Sequence, residues 1–124
     1  MIEKINELKS KVGTPYQMFD ENKNYIGCFY PIYYIYPHLP RYPLPSDNHQ
    51  ANYRYGMAKI LQSAKEIQEK DLQAGDVVAC KFNNELHVAL YIGDQRIIHV
   101  FRGHTLQISR LKILKDYKCF RVIK

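Results

Sequence analysis

The sequence LHVALYIGDQRIIHVF, residues 86 to 101, contains two short apolar runs separated by Gly93-Asp94-Gln95. A turn tripeptide between such runs predicts a hairpin, with strands over residues 86–92 and 96–101. A three-residue loop centred on Gly93 or Asp94 places His87 and His99 on one face of the sheet, whereas a two-residue loop separates them. A single histidine in an apolar strand is more often a core residue with its hydrogen bonds satisfied than a catalyst. Two histidines on one face of a hairpin are the arrangement expected of a catalytic base and the residue that orients it.

Further elements flank this hairpin on both sides. Additional strands are predicted at residues 75–82, 105–110 and 117–123. Apolar spacing and proline positions predict helices at residues 2–11, at about 28–36 and within 51–70. This order indicates an α+β fold in which N-terminal helices pack on a five-stranded, mainly antiparallel sheet. We expect residues 1–124 to form a single domain.

Composition narrows the function classes. The 124 residues are 46% hydrophobic and 24% charged, which is typical of a globular protein. The net charge of +6 favours anionic surroundings, but no nucleic-acid motif accompanies it, so we expect no nucleic-acid partner. No apolar run approaches the roughly 20 residues of a transmembrane helix, and the N-terminus lacks signal-peptide features. We expect the protein to be synthesised in the cytoplasm and to reach the outside of the cell by delivery with a phage or secretion particle.

The segment YIGCFYPIYYIYPHLP, residues 25 to 40, places Cys28 at the start of a helix bracketed by Pro31 and Pro37. Unpaired N–H groups and the helix dipole are expected to lower the thiol pKa there, and the same N–H groups suit an oxyanion. The alternative is a small buried hydrophobe, and position alone does not decide. The other cysteines, Cys80 and Cys119, fall in predicted strands and are expected to be structural.

Metal binding is disfavoured. The three cysteines offer no C-x-x-C pair, and zinc binding by Cys28, His87 and His99 would have no short-range ligand pair to anchor it. We expect reduced thiols, no metal and no cofactor. The remaining histidines lie in or near predicted loops and are interpreted as solvated: His38, His49 and His104.

Several pieces of the chain, in order, resemble the NlpC-type cysteine peptidases of the papain-like fold, which cleave peptide bonds in bacterial cell-wall stems. No single piece is specific, but their order and spacing together are. The pieces are Gly13-Thr14-Pro15-Tyr16, Cys28 opening a helix, Leu39-Pro40-Arg41, Leu72-Gln73-Ala74-Gly75-Asp76-Val77-Val78, His87-Val88-Ala89-Leu90-Tyr91-Ile92-Gly93-Asp94 and Ile97-Ile98-His99.

The resemblance implies a catalytic Cys28, with His87 as base and His99 as the orienting third member. It also implies that Tyr16 forms a wall of the site near the thiol. Family members commonly read Asp-Cys-Ser-Gly where this chain has Gly27-Cys28-Phe29-Tyr30. Loss of the acidic neighbour predicts a preference for peptides without a free ammonium. The expected substrate-contacting side chains are Tyr16, Phe29, Tyr30 and Arg41.

The expected function is hydrolysis of an amide bond in a peptidoglycan stem peptide. Two alternatives stay open. One keeps the fold but acts on another amide or thioester, as an acyltransferase, thioesterase or amidase. The other is a non-enzymatic structural or phage-tail component that retains the fold. The sequence gives no oligomeric state.

Overall fold

The computed structural model describes residues 1–43 and 48–123. Within these ranges, three α-helices precede one antiparallel sheet of six strands. The helices are α1 (Ile2–Lys9), α2 (Tyr30–Ile35) and α3 (His49–Leu61). The strands are β1 (Ala64–Ile67), β2 (Val77–Phe82), β3 (Glu85–Gly93), β4 (Arg96–His99), β5 (Gln107–Arg110) and β6 (Lys115–Val122). Short 3₁₀ segments are Gly27–Phe29, Glu69–Asp71 and Leu111–Ile113.

The sheet has the strand order β1-β6-β2-β3-β4-β5, which is one strand more than predicted. The extra strand, Ala64–Ile67, lies inside the segment predicted to hold a helix, and its sequence Ala-Lys-Glu-Ile favours a helix locally. It instead pairs with β6, with Ala64 opposite Val122. Tertiary pairing along β6 therefore outweighs the local preference, and α3 ends at Leu61.

Side-chain alternation along β3 divides the apolar interior between the two faces of the sheet. Val88 and Leu90 join the core that contains the helical residue Ile32. The intervening residues Ala89 and Tyr91 join a smaller cluster on the other face. His87 alternates with Val88 and therefore shares the face of Ala89 and Tyr91, near the start of β3, where the Val88 N–H lies close to the Cys28 sulfur.

The start of α3 is set by a side-chain cap. The Asn48 side chain accepts a hydrogen bond from the Ala51 backbone N–H at 3.1 Å, which satisfies one of the unpaired donors of the first helical turn. Among the described residues, no helix is long and apolar enough to cross a membrane.

Candidate active site

Cys28 lies in the single 3₁₀ turn Gly27–Phe29, which leads directly into α2. Pro31 occupies the first turn of α2, where a missing N–H removes no intrahelical bond. Gly27 has a φ of +45°, and a Cβ at this position would lie 2.6 Å from Cζ of Tyr25. Glycine is therefore required before Cys28, because any other side chain would displace the Tyr25 ring.

The Cys28 thiol has no exposed surface. The backbone N–H groups of Val88 and of Cys28 itself lie close to the sulfur and lower the thiol pKa, because they favour the thiolate. Burial outweighs them and raises the pKa of the Cys28 thiol to about 12. The expectation that the helix start lowers this pKa is wrong for this conformation, since two N–H groups do not replace the lost hydration of an anion.

His87 and His99 lie on one face of the sheet, as expected, but for a different reason. The β3–β4 turn has two residues, Asp94–Gln95, and is flanked by the pair Gly93 and Arg96. Such a loop alone would separate the histidines. The pairing register shifts between Tyr91 and Gly93, where β3 has one residue more than β4. This extra residue brings His87 and His99 back to the same face of the sheet.

The two histidine rings form a buried hydrogen-bonded row. Nε2 of His87 lies 2.9 Å from Nδ1 of His99, and Nε2 of His99 lies 2.9 Å from Oγ of Ser109. The exposed fractions of His87 and His99 are 3% and 1%. Burial lowers the pKa of His99 to about 4, so its ring is neutral near neutral pH.

A neutral His99 allows one proton arrangement that suits catalysis. If His99 donates from Nε2 to Ser109, its Nδ1 accepts the Nε2 proton of His87. His87 then carries its lone pair on Nδ1 and can accept a proton there. Ser109 could not be recognised from the sequence, because its position beside His99 depends on the register of β4 with β5.

A cavity of about 250 Å³ opens beside His87. Glu85 and Arg102 form an ion pair at its edge, with Nη2 to Oε1 at 3.2 Å and both side chains nearly half exposed. The Glu85 carboxylate is close enough to Cys28 for its charge to raise the thiol pKa further. The cavity is lined by Phe82, Asn83, Glu85, Leu86, His87, Phe101, Arg102 and His104.

Tyr16 lies near the thiol. Burial and the neighbouring Cys28 raise the pKa of the Tyr16 phenol to about 12, and its hydroxyl also lies close to that of Tyr25. The Tyr16 hydroxyl oxygen is buried and makes no well-formed hydrogen bond within the described parts of the chain. This O–H group can therefore donate to a group that enters the site.

The other expected substrate contacts have different environments. Phe29 has no exposed surface, and its ring stacks on Tyr53 at a centroid distance of 5.5 Å. It belongs to the core, which corrects the expectation that the Phe29 side chain contacts the substrate. Tyr30 is half-buried and lines a small cavity together with Tyr16. Arg41 pairs with Asp20 at 3.2 Å and remains partly exposed.

The remaining histidines differ in how much they add to the site. His104 is exposed, as expected, but its ring lies 4.1 Å from that of Phe101 at the edge of the cavity. His38 is exposed. His49 begins α3, and its side chain lies outside the described parts of the structure. No group of three or more His, Cys, Asp or Glu side chains suited to a metal ion occurs among the described residues.

A sequence model of the NlpC/P60 family matches residues 13–120. The chain belongs to the NlpC/P60 family. The resemblance inferred from its scattered pieces is thereby confirmed. No curated protein matches the chain significantly in sequence.

Two solved NlpC/P60-like structures share the fold. One is the peptidoglycan hydrolase RipB of Mycobacterium tuberculosis, 14% identical with a TM-score of 0.65 over 99% of this chain. The other is an NLP/P60-family protein of Staphylococcus aureus, described as similar to a lipoprotein, 22% identical with a TM-score of 0.58 over 98% of this chain. The chain spans 65% of the first and 40% of the second. These likenesses confirm the α+β NlpC/P60 fold.

Proposed function

We propose that this NlpC/P60 chain is a cysteine hydrolase that cleaves an amide bond in peptidoglycan stem peptides. The description of RipB as a peptidoglycan hydrolase supports the substrate class. One observation carries the proposal. The sulfur of Cys28 contacts the N–H of Val88, the neighbour of His87, and His87 is itself hydrogen-bonded to His99.

The raised thiol pKa favours general-base catalysis over a resting thiolate. His87 takes the thiol proton on Nδ1 as the sulfur attacks the substrate carbonyl carbon. The Cys28 backbone N–H donates to the oxyanion, and the Tyr16 hydroxyl, which lies close to that of Tyr25, is the proposed second donor. When the C–N bond breaks, His87 returns the proton to the leaving amine.

Hydrolysis of the thioester completes the cycle. Water loses a proton to His87 and attacks the acyl carbon, and the sulfur leaves and recovers that proton. His99 and Ser109 hold the His87 ring in one tautomer during both steps. The resting thiol has no exposed surface, so side chains around Cys28 must move before a substrate carbonyl can reach it.

Glu85 changes the expected specificity. Gly27 leaves no carboxylate directly before Cys28 in the sequence, and the expected preference for peptides without a free ammonium depends on that. The Glu85 carboxylate on β3 acts on the thiol through its charge, and its partner Arg102 is nearly half exposed. We infer that a substrate ammonium replaces the Arg102 guanidinium on Glu85, so peptides with a free amine near the scissile bond are favoured.

The test is direct. Purified protein is incubated with defined stem tetrapeptides, and the products are identified by mass spectrometry. Cleavage by the parent, with none by Cys28→Ala at equal folded concentration, supports the proposal. No cleavage by the parent of stem peptides, free or cross-linked, contradicts it.

The fully buried, protonated thiol specifically favours one other function, a non-catalytic component that keeps the fold. A thiol-reactive substrate analogue, a stem peptide ending in a vinyl sulfone, separates the two. Selective labelling of Cys28 over Cys80 and Cys119 supports the hydrolase. Labelling of the three cysteines at similar slow rates supports the non-catalytic component.

A further inference from the structure

The β3–β4 turn and the end of β5 form a second cavity, of about 400 Å³. It lies at the opposite end of β3 from His87. A strand rises roughly 3.3 Å per residue, so the seven positions from His87 to Asp94 place this cavity roughly 20 Å from the catalytic candidates. The cavity is lined by Asp94, Gln95, Arg96, Arg110 and Lys112.

Two arginines face each other in this cavity. Arg96 on β4 is directly opposite Arg110 on β5 in the pairing register. Side chains in directly opposite positions have Cβ atoms about 5 Å apart, and like charges there destabilise a sheet. Lys112 adds a third positive charge, and Asp94 is the one carboxylate among the lining residues. The cavity therefore keeps an excess of positive charge.

Three arginines elsewhere in the fold have their charge neutralised by a carboxylate. Arg41, Arg102 and Arg121 each form an ion pair with a carboxylate, at 3.2, 3.2 and 2.9 Å. Across residues 1–43 and 48–123, neither Arg96 nor Arg110 forms one. Their guanidinium groups keep their donor capacity for a ligand.

The cavity wall is held rigidly by backbone contacts. The Gln95 carbonyl oxygen accepts the Leu111 N–H at 2.8 Å, and the Gln95 N–H donates to the Tyr91 hydroxyl at 3.1 Å. These bonds join the turn to the chain after β5 and to β3. A preformed site loses less ordering entropy when it binds a ligand.

We propose that this cavity binds a phosphate group between the Arg96 and Arg110 side chains. Guanidinium forks match phosphate oxygens in a bidentate manner, which a lysine ammonium cannot do. An oxyanion between the two arginines also converts a repulsive cross-strand pair into an attractive arrangement. The group can be free phosphate or the phosphate of a polymer, and the site is separate from the thiol and its histidines.

The chain contains a matched control. Lys81 and Lys115 are also directly opposite each other, on β2 and β6, and are exposed. Arg96→Gln/Arg110→Gln and Lys81→Gln/Lys115→Gln remove the same charge from the same kind of pair. Titration calorimetry at constant ionic strength measures the Kd of inorganic phosphate and of tripolyphosphate for each protein.

We expect the arginine double variant to bind phosphate at least 10-fold more weakly than the parent, and the lysine double variant less than 3-fold more weakly. If the arginine variant does not fold, the single Arg110→Gln variant on the edge strand is measured instead. Saturable phosphate binding with markedly tighter tripolyphosphate binding supports a polymer source, and equal binding supports free phosphate. No saturable binding by the parent, or equal losses in both double variants, overturns the proposal.

Discussion

Two buried cysteines lie against β3, one opposite His87 and one beside Val88, and they differ in what surrounds the sulfur. Cys80 is directly opposite His87 in the β2–β3 ladder, while Cys28 approaches from the turn before α2. Burial raises the thiol pKa of both, to about 12 for Cys28 and about 11 for Cys80. Two backbone N–H groups close to the Cys28 sulfur lower its pKa, whereas burial is the one cause of the shift at Cys80. Proximity to a histidine is therefore less informative than donors that can hold a negative charge.

The largest expected effect tests this comparison directly. Cys28→Ala is expected to lower kcat on a stem peptide by at least about 10³-fold, because it removes the nucleophile. Cys80→Ala is expected to retain most of the activity. Each variant is expected to lose about 1 kcal/mol of unfolding free energy, since both side chains are buried. Steady-state kinetics and urea unfolding provide the two measurements.

The stability loss at Cys28 follows from its complete burial. Cys119→Ala serves as control, because Cys119 is buried in β6. A folded Cys80→Ala protein with no activity would reverse the assignment of the two thiols.

The second prediction concerns how His87 is directed toward Cys28. His87→Ala is expected to lower kcat by about 10³-fold, because the base is lost. His99→Ala is expected to cost less, on the order of 10²-fold, and His99→Asn or His99→Gln to restore part of it by replacing the acceptor for His87. Ser109→Ala is expected to lower kcat the least, by several-fold, because Ser109 is hydrogen-bonded to His99 and not to His87 itself.

Equal and complete losses for His87→Ala and His99→Ala would contradict this division of roles. A pH–rate profile checks it separately. The orienting variants should lower the plateau of kcat without abolishing its dependence on pH, whereas loss of the base should remove the corresponding limb.

Local pattern predicted much of this site. The alternation of apolar residues around His87 and His99 identified both as buried polar residues, and the two prolines around the Cys28 segment located a helix start. The shared face of the histidines depends on a register shift in β3, which no local pattern encodes. The sequence left the two-residue and three-residue loops open, and the structure has the two-residue loop together with a register shift that keeps both histidines on one face.

Other features depend on tertiary pairing and were not predictable from a single sequence. Ser109 reaches His99 through the register of β4 with β5, and Glu85 approaches Cys28 across the fold. Complete burial of the thiol reversed the direction of its pKa shift, because the helix-start argument omits desolvation. The strand Ala64–Ile67 was assigned to a helix because its partner β6 lies more than 40 positions away.

The third prediction tests whether His99 stays neutral while it orients His87. The pKa of His99 is about 4 in the folded chain, against an ordinary histidine value of 6.5. The unfolded state therefore takes up a proton first as pH falls below 6.5, so stability is full above that pH and is lost toward pH 4. The loss is at most about 3 kcal/mol. Urea unfolding at pH 7.5 and 4.5 should show a smaller acid loss in His99→Gln, while His104→Gln, at an exposed site, should match the parent.

The smallest expected effect concerns the carboxylate near the thiol. If Glu85 binds a substrate ammonium, the parent should cleave a stem peptide with a free N-terminus several-fold faster, in kcat/KM, than its acetylated form, and Glu85→Gln should remove that preference. Arg102→Gln should increase it, because the competing guanidinium is gone. Gly27→Asp is a poor alternative test, since φ is +45° and its Cβ would meet the Tyr25 ring, so it should lower stability first. A parent that prefers the acetylated peptide would contradict the role of Glu85 and restore the expectation drawn from Gly27.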